Sequence, residues 1–150
     1  MTFTTAKDPN ELPVCYIDAI SSRDFDALGK LWTPDARWQA PGISEVSGIE
    51  NVLALLENMS ESVTFAFQGI LGNIVRVDGD VGVGRCYIEE RGRYTDGNDF
   101  TINGYFDDQL KLVDGSWLFA SRKFNLLYRR ISPSEGKFYR HSEWEGNILG

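Results

Sequence analysis

Between residues 77 and 97 the chain reads Val77-Asp-Gly-Asp-Val-Gly-Val-Gly-Arg-Cys-Tyr-Ile-Glu-Glu-Arg-Gly-Arg-Tyr-Thr-Asp-Gly97. Two Asp-Gly pairs bracket a segment whose apolar residues alternate with polar ones, the period of a half-buried strand. Asp-Gly accepts the positive φ angles of tight hairpin turns. A third pair, Asp114-Gly115, follows at a similar interval. The three turns mark off four segments, about 63–77, 81–94, 100–113 and 117–129. Sequential strands joined by short turns pair antiparallel. Each segment is well beyond the usual strand length of about 5–6 residues. Strands this long must twist, and Gly82, Gly84, Gly92 and Gly104 let them curl. The expectation is a curved four-strand meander.

Upstream of Val63 the period changes to that of helices. From about Asn10 to Ile20, Leu12, Tyr16, Ala19 and Ile20 share one face, with Pro13 tolerated in the first turn. From about Asp24 to Trp32, Asp24 is a candidate N-cap, Phe25, Leu28, Leu31 and Trp32 form the stripe, and Thr33-Pro34 stops it. Ser47-Gly-Ile-Glu50 has capping-box spacing ahead of Ile49, Val52, Leu53 and Leu56. A short strand, about Ala36 to Ala40, lies between the second and third helices. Together these elements predict one α+β domain over 1–150: a cone-like, curved antiparallel sheet wrapped around N-terminal helices, with an N-terminal arm at 1–9.

A length of 150 residues is one domain's worth. Fifteen Lys and Arg against 22 Asp and Glu give a net charge of −7, which disfavours nucleic acid and anionic membranes as partners. No apolar run approaches a membrane span, and the first residues lack the apolar core of a secretory signal. Cys15 and Cys86 are too few for a disulfide framework, and a reduced, cytoplasmic setting is expected. One histidine, His141, leaves no His-rich metal centre and no Ser-His-Asp triad in the body of the chain. Gly79-Asp-Val-Gly-Val-Gly84 precedes a strand pattern instead of a helix, so it cannot bind a pyrophosphate as a dinucleotide loop does. Neither a cofactor nor a metal is expected.

Period-two counting assigns the strand faces. Cys86, Ile88 and Glu90 share one face of the second long strand. Phe100, Ile102, Phe106, Asp108, Leu110 and Leu112 share one face of the third. The more apolar face is the buried one, so Glu90 and Asp108 are carried inward. An unpaired buried carboxyl finds a partner or takes up a proton. Arg122, on a face with Leu118, Phe124 and Leu126, is the candidate partner. Tyr16 brings a phenol from the first helix to the same interior, either as a site residue or as a core aromatic.

Several runs carry a resemblance: Tyr16-Ile-Asp-Ala-Ile with Asp24-Phe-Asp-Ala-Leu, Val77-Asp-Gly-Asp, and Asp108-Gln-Leu-Lys-Leu-Val-Asp-Gly-Ser-Trp117 followed by Arg122. In order and content the chain resembles the nuclear-transport-factor-like, or SnoaL-like, superfamily over nearly its whole length. In Arg85-Cys-Tyr-Ile-Glu-Glu-Arg, Tyr94-Thr-Asp-Gly, Ile102-Asn-Gly and Leu127-Tyr128 it is similar to bile-acid 7α-dehydratases. These and the scytalone dehydratases use an Asp–His pair, which the resemblance places at Ser21 and Gln68, both departures. A second acidic position falls on Glu90, a substrate tyrosine on Tyr16, and a basic residue of the last strand on Leu126. In ketosteroid isomerases the hydrogen-bonding Tyr and protonated Asp correspond to Tyr16 and Asp108, and the base falls on Ala40. The superfamily's tail can cover the pocket, which implies such a place for 130–150 and makes His141 either a candidate for pocket entry or an exposed tail residue. Subunits of this fold commonly pair, which implies a homodimer.

The resulting expectation is a cofactor-free acid–base enzyme, a lyase, dehydratase or isomerase, acting on a small apolar, oxygenated or aromatic compound. Glu90 is the candidate base, with Tyr16 and protonated Asp108 as hydrogen-bond donors to an oxyanion. Gln68, Trp38, Phe67, Phe106 and Arg122 are the candidate substrate-binding residues. The alternative is a non-catalytic small-molecule binder or an accessory subunit like the β subunits of ring-hydroxylating dioxygenases.

Overall fold

The Asp-Gly turns set the architecture. In the computed structural model, which describes residues 3–134 and 136–138, Gly79, Gly97 and Gly115 all have positive φ, and Asp114 does as well. They separate four long strands: β3 (Val63–Asp78), β4 (Val81–Tyr94), β5 (Asn98–Val113) and β6 (Ser116–Pro133). Before them come α1 (Leu12–Ser22), α2 (Phe25–Gly29), β1 (Trp32–Ala40), β2 (Ile43–Ser47) and α3 (Ile49–Ser60). The sheet is curved and unclosed, in the order β2-β1-β6-β5-β4-β3. The meander β3–β6 is antiparallel throughout, as the turns require, while β1 lies parallel to β6.

Three local expectations are corrected. The second helix stops at Gly29, because the Leu31 carbonyl accepts from Phe119 N at 2.8 Å and Trp32 pairs with Phe119. Sheet pairing takes residues that the helical stripe had claimed. Strand β2 was not foreseen. It ends at Ser47, which pairs with Arg37, so Ser47 is unavailable as a helix cap. Gly48, at φ 88, is the cap instead, with no side-chain bond.

The helices bury one face against the concave side of the sheet. Leu12, Cys15, Tyr16 and Ala19 of α1, Leu28 of α2 and Val52 and Leu56 of α3 meet Cys86, Ile88, Phe106 and Phe119. Both cysteines are free and buried. The face assignment of β4 and β5 agrees with the burial of Cys86, Ile88, Phe100, Phe106, Asp108 and Leu110.

Two β-bulges at the open end of the cone alter that phase. In β3, Val63 pairs with Tyr94 and Phe65 with Arg93, leaving Thr64 as the extra residue. In β6, Leu126 pairs with Gly104 and Tyr128 with Asn103, leaving Leu127 extra. The second bulge puts Arg129, partner of Ile102, on the inner face where unbroken alternation would have put Tyr128. It also brings β6 close to Gly104. A Cβ there would collide with the Asn125 carbonyl oxygen and the Phe124 ring. Gly104→Ala is therefore expected to cost about 1–3 kcal/mol, read as a lowered urea midpoint. An unchanged midpoint would mean that β6 is not so closely apposed.

Candidate functional site

The bend of the sheet encloses a cavity of about 430 Å³. Its floor is Tyr16 of α1, Trp38 of β1, Phe106 of β5 and Phe124 of β6, and Leu56 and Met59 of α3 close one side. The wall opposite is polar at one place. Gln68 of β3 and Glu90 of β4 are directly paired residues on the inner face. The Gln68 amide Nε2 donates to Glu90 Oε2 at 3.0 Å. Glu90 retains intermediate exposure because it faces the cavity. Burial pushes its carboxyl above the ordinary value of 4.5, and the Gln68 bond opposes this only in part.

Tyr16 packs edge-on against Trp32, Phe106 and Phe119 at ring separations of 6.0–6.1 Å. Burial pushes its phenol up to about 12, with Arg122 pulling the other way. It therefore remains a hydrogen-bond donor at any ordinary pH. A charge on Glu90 pushes the same phenol up, so the two groups sense each other across the cavity. Trp38 and Gln68 also line this space. Gln68 Oε1 is buried without a hydrogen-bond partner in the protein, while the Trp38 side chain acts as a hydrogen-bond partner of the Tyr16 phenol and pulls it down against burial. An unpaired acceptor beside a raised carboxyl is a group that a polar ligand would satisfy.

Asp108 and Arg122 are corrected. Both are buried, and Arg122 Nε and Nη2 donate to the two Asp108 oxygens at 2.7 and 3.1 Å. The guanidinium lies among the rings of Phe106, Phe119 and Tyr16, 3.8–4.5 Å from their centres. Burial pushes the Asp108 carboxyl up and Arg122 opposes it. With both oxygens occupied, Asp108 has no proton to offer an oxyanion. Neither residue lines the cavity. Both support its floor from beneath, with the guanidinium against Tyr16 and Phe106. Phe67 is also corrected: it points outward and is exposed, while its neighbours Ala66 and Gln68 line the cavity. Phe65, turned inward at the bulge, stands at the mouth in its place.

The remaining positions do converge. Tyr16, Ser21, Trp38, Ala40, Gln68, Glu90, Phe106 and Leu126 all line the one cavity. Residues not foreseen are Arg23 and Arg129 at the mouth, with Tyr94 beside them. Arg23 ends α1 in a left-handed conformation, and Arg129 is turned in by the bulge, so neither follows from simple periodicity. Residues 136–138 return to the same edge: Phe138 stacks on Phe65 at 4.7 Å, and Arg93 donates to the Gly136 carbonyl at 2.6 Å. His141 lies outside the described residues.

This arrangement of helices packed in a curved, open sheet around an apolar cavity is that of the nuclear-transport-factor-like fold. The chain belongs to the SnoaL-like domain family, whose model matches residues 10–123. No curated protein matches it in sequence. Solved structures share the fold. LinA is 22% identical with a TM-score of 0.76, over 87% of this chain and 89% of LinA. A hexachlorocyclohexane dehydrochlorinase LinA-type3 from Novosphingobium barchaimii is 20% identical with a TM-score of 0.75, over 87% and 90% of the two chains. A candidate scytalone dehydratase from Novosphingobium aromaticivorans is 17% identical with a TM-score of 0.74, over 87% and 92%. Among the described residues no helix is long and apolar enough to cross a membrane.

Proposed function

We propose that this protein is a cofactor-independent acid–base enzyme, a lyase of dehydratase type or an isomerase, acting on a small, mainly apolar, oxygenated compound. The observation that carries this reading is Glu90. It is the acidic residue of an otherwise largely apolar lining, raised by burial, with a donor on one side and a phenol within electrostatic reach. A carboxyl raised toward neutrality is a better base than an ordinary one. Glu90 takes the proton from carbon. The Tyr16 hydroxyl, itself supported by the Trp38 side chain, donates to the oxygen that gains charge, and the Gln68 oxygen accepts from a substrate hydroxyl. In an elimination the electron pair left on carbon forms the new double bond as the leaving group departs. In an isomerisation Glu90 returns the proton to another carbon. The structures it resembles include a hexachlorocyclohexane dehydrochlorinase and a candidate scytalone dehydratase, both named for eliminations. The test is proton-transfer turnover of a panel of small apolar alcohols, ketones and halides, followed by NMR in D₂O, with Glu90→Gln as control. Turnover that survives the substitution removes Glu90 from the chemistry.

The second reading, a non-catalytic small-molecule binder or accessory subunit, is favoured by Ser21 and Gln68 standing where the dehydratases resembled carry Asp and His. Binding by the whole panel without turnover of any member would select it. In either case residues 136–138, a described part of the 130–150 tail beyond β6, are proposed to cover the mouth, supported by the Phe138–Phe65 stack; residues 139–150 lie outside the described residues. A homodimer is supported by the exposed apolar residues Leu71, Ile74, Val77, Val81 and Val83 on β3 and β4. Light scattering after size exclusion is expected to give twice the chain mass, and a monomer at micromolar concentration would refute it. Two buried free cysteines fit a reducing, cytoplasmic setting.

A further inference from the structure

We propose that Arg23 and Arg129 form an anion-binding subsite at the cavity mouth, so that the substrate is an apolar body carrying an anionic head group. The inference rests on the cavity being the substrate site and goes beyond it by naming the substrate class.

The two guanidinium groups are held at one corner. Arg23 Nη2 donates to the Val63 carbonyl at 2.5 Å, and Arg129 Nη2 donates to the Tyr94 hydroxyl at 3.0 Å. Val63 and Tyr94 are paired across β3 and β4, so both arginines are tied to the same end of that hairpin. Both arginines line the cavity, and neither is in an ion pair among the described residues. In a chain of net charge −7, two uncompensated cations at the entrance of an apolar cavity make a local positive field.

Two backbone irregularities place them there. Arg23 has φ 56, the left-handed conformation that glycine usually supplies at the end of a helix. An arginine there carries strain that an exposed helix end does not require. Arg129 faces inward only because Leu127 is inserted as a bulge. Glu90 and Arg129 stand on either side of Ile102, which pairs with both across β4, β5 and β6, and Tyr16 and Trp38 line the floor. A ligand with its reacting oxygen on the Glu90 side and an anionic group on the arginine side would meet both sets of polar groups, its apolar middle against Ile102 and its lining neighbours Phe100 and Leu126.

The test uses the full chain and the fluorescent probe 8-anilino-1-naphthalenesulfonate. Its neutral counterpart is N-phenyl-1-naphthylamine, and 2-naphthoate, 2-naphthyl phosphate and 2-naphthol serve as competitors. The variants are Arg129→Gln, Arg23→Asn, which tolerates the left-handed backbone, and Ala66→Trp, which fills the cavity. Each arginine substitution is expected to weaken the sulfonate and both anionic competitors by about fivefold while leaving naphthylamine and naphthol within twofold. Added salt weakens the anions alone. Naphthoate and naphthyl phosphate then rank carboxylate against phosphate. Equal losses for neutral and anionic compounds, or no loss for either, would overturn the subsite. If Ala66→Trp leaves all binding intact, the probes are not in the cavity and the subsite is overturned, while the proposed function is decided by turnover and Glu90→Gln. If Ala66→Trp abolishes binding but the arginine variants change nothing, only the subsite falls.

Discussion

Arg122→Met is expected to destabilise the domain by about 3–5 kcal/mol, measured by urea denaturation at neutral pH. The side chains of Arg122 and Asp108 are 1% and 2% exposed, so solvent cannot compensate the carboxylate left behind. Removing the guanidinium also withdraws the cation from the faces of Tyr16, Phe106 and Phe119. The double variant Asp108→Leu/Arg122→Met removes both charges at once. It is expected to recover most of the loss, because a desolvated pair replaced by apolar side chains of similar size is often near neutral. A single-variant loss below about 1 kcal/mol would place the pair in the solvated class. Since Tyr16 and Phe106 form the cavity floor, the double variant also separates support of the site from stability: ligand affinity should fall even where stability is regained.

Glu90→Gln is expected to lower turnover by about 10²-fold or more with the fold intact, because an amide cannot accept the proton. The pH dependence follows from the raised carboxyl. The base must be ionised, so activity is lost as pH falls through a value above 4.5. Stability has the opposite sign. Between 4.5 and the folded-state value the native protein binds more protons at Glu90 than the unfolded chain does. Its contribution is full below that window and is lost as pH rises through it. Glu90→Gln is uncharged at every pH, so it is expected to raise the urea midpoint at pH 7–8 relative to the parent while abolishing activity. Turnover within twofold of the parent would show that Glu90 is not the base, and a midpoint that does not rise would show that its charge does not strain the fold.

Much of the candidate site was legible because strand phase is a local property. Glu90 lies two residues beyond Ile88 on an apolar face, and only the cavity side can follow. Tyr16 shares a helical face with Leu12 and Ala19, so its ring had to enter the interior. Phe67 points outward for the same reason that Gln68 points inward: adjacent strand residues point to opposite faces. Its aromatic character said nothing about which face was which. Asp108 was carried inward as expected. Period alone could not decide between a free acid and a bidentate ion pair, because that depends on where Arg122, one strand away, presents its guanidinium.

By itself the sequence determined the α+β class, the four-strand meander, the curl and the inward course of Glu90, Asp108 and Tyr16. Each of these follows from turn chemistry and from periods counted within one segment. Tertiary structure decided the rest. The parallel seat of β1 on β6, the loss of Ser47 to a strand, the ion pair beneath the floor and the two arginines at the mouth all depend on contacts between distant segments. Bulges are the clearest case: one inserted residue, such as Leu127, reverses every side chain beyond it, and it is the partner strand's register that determines where the insertion falls.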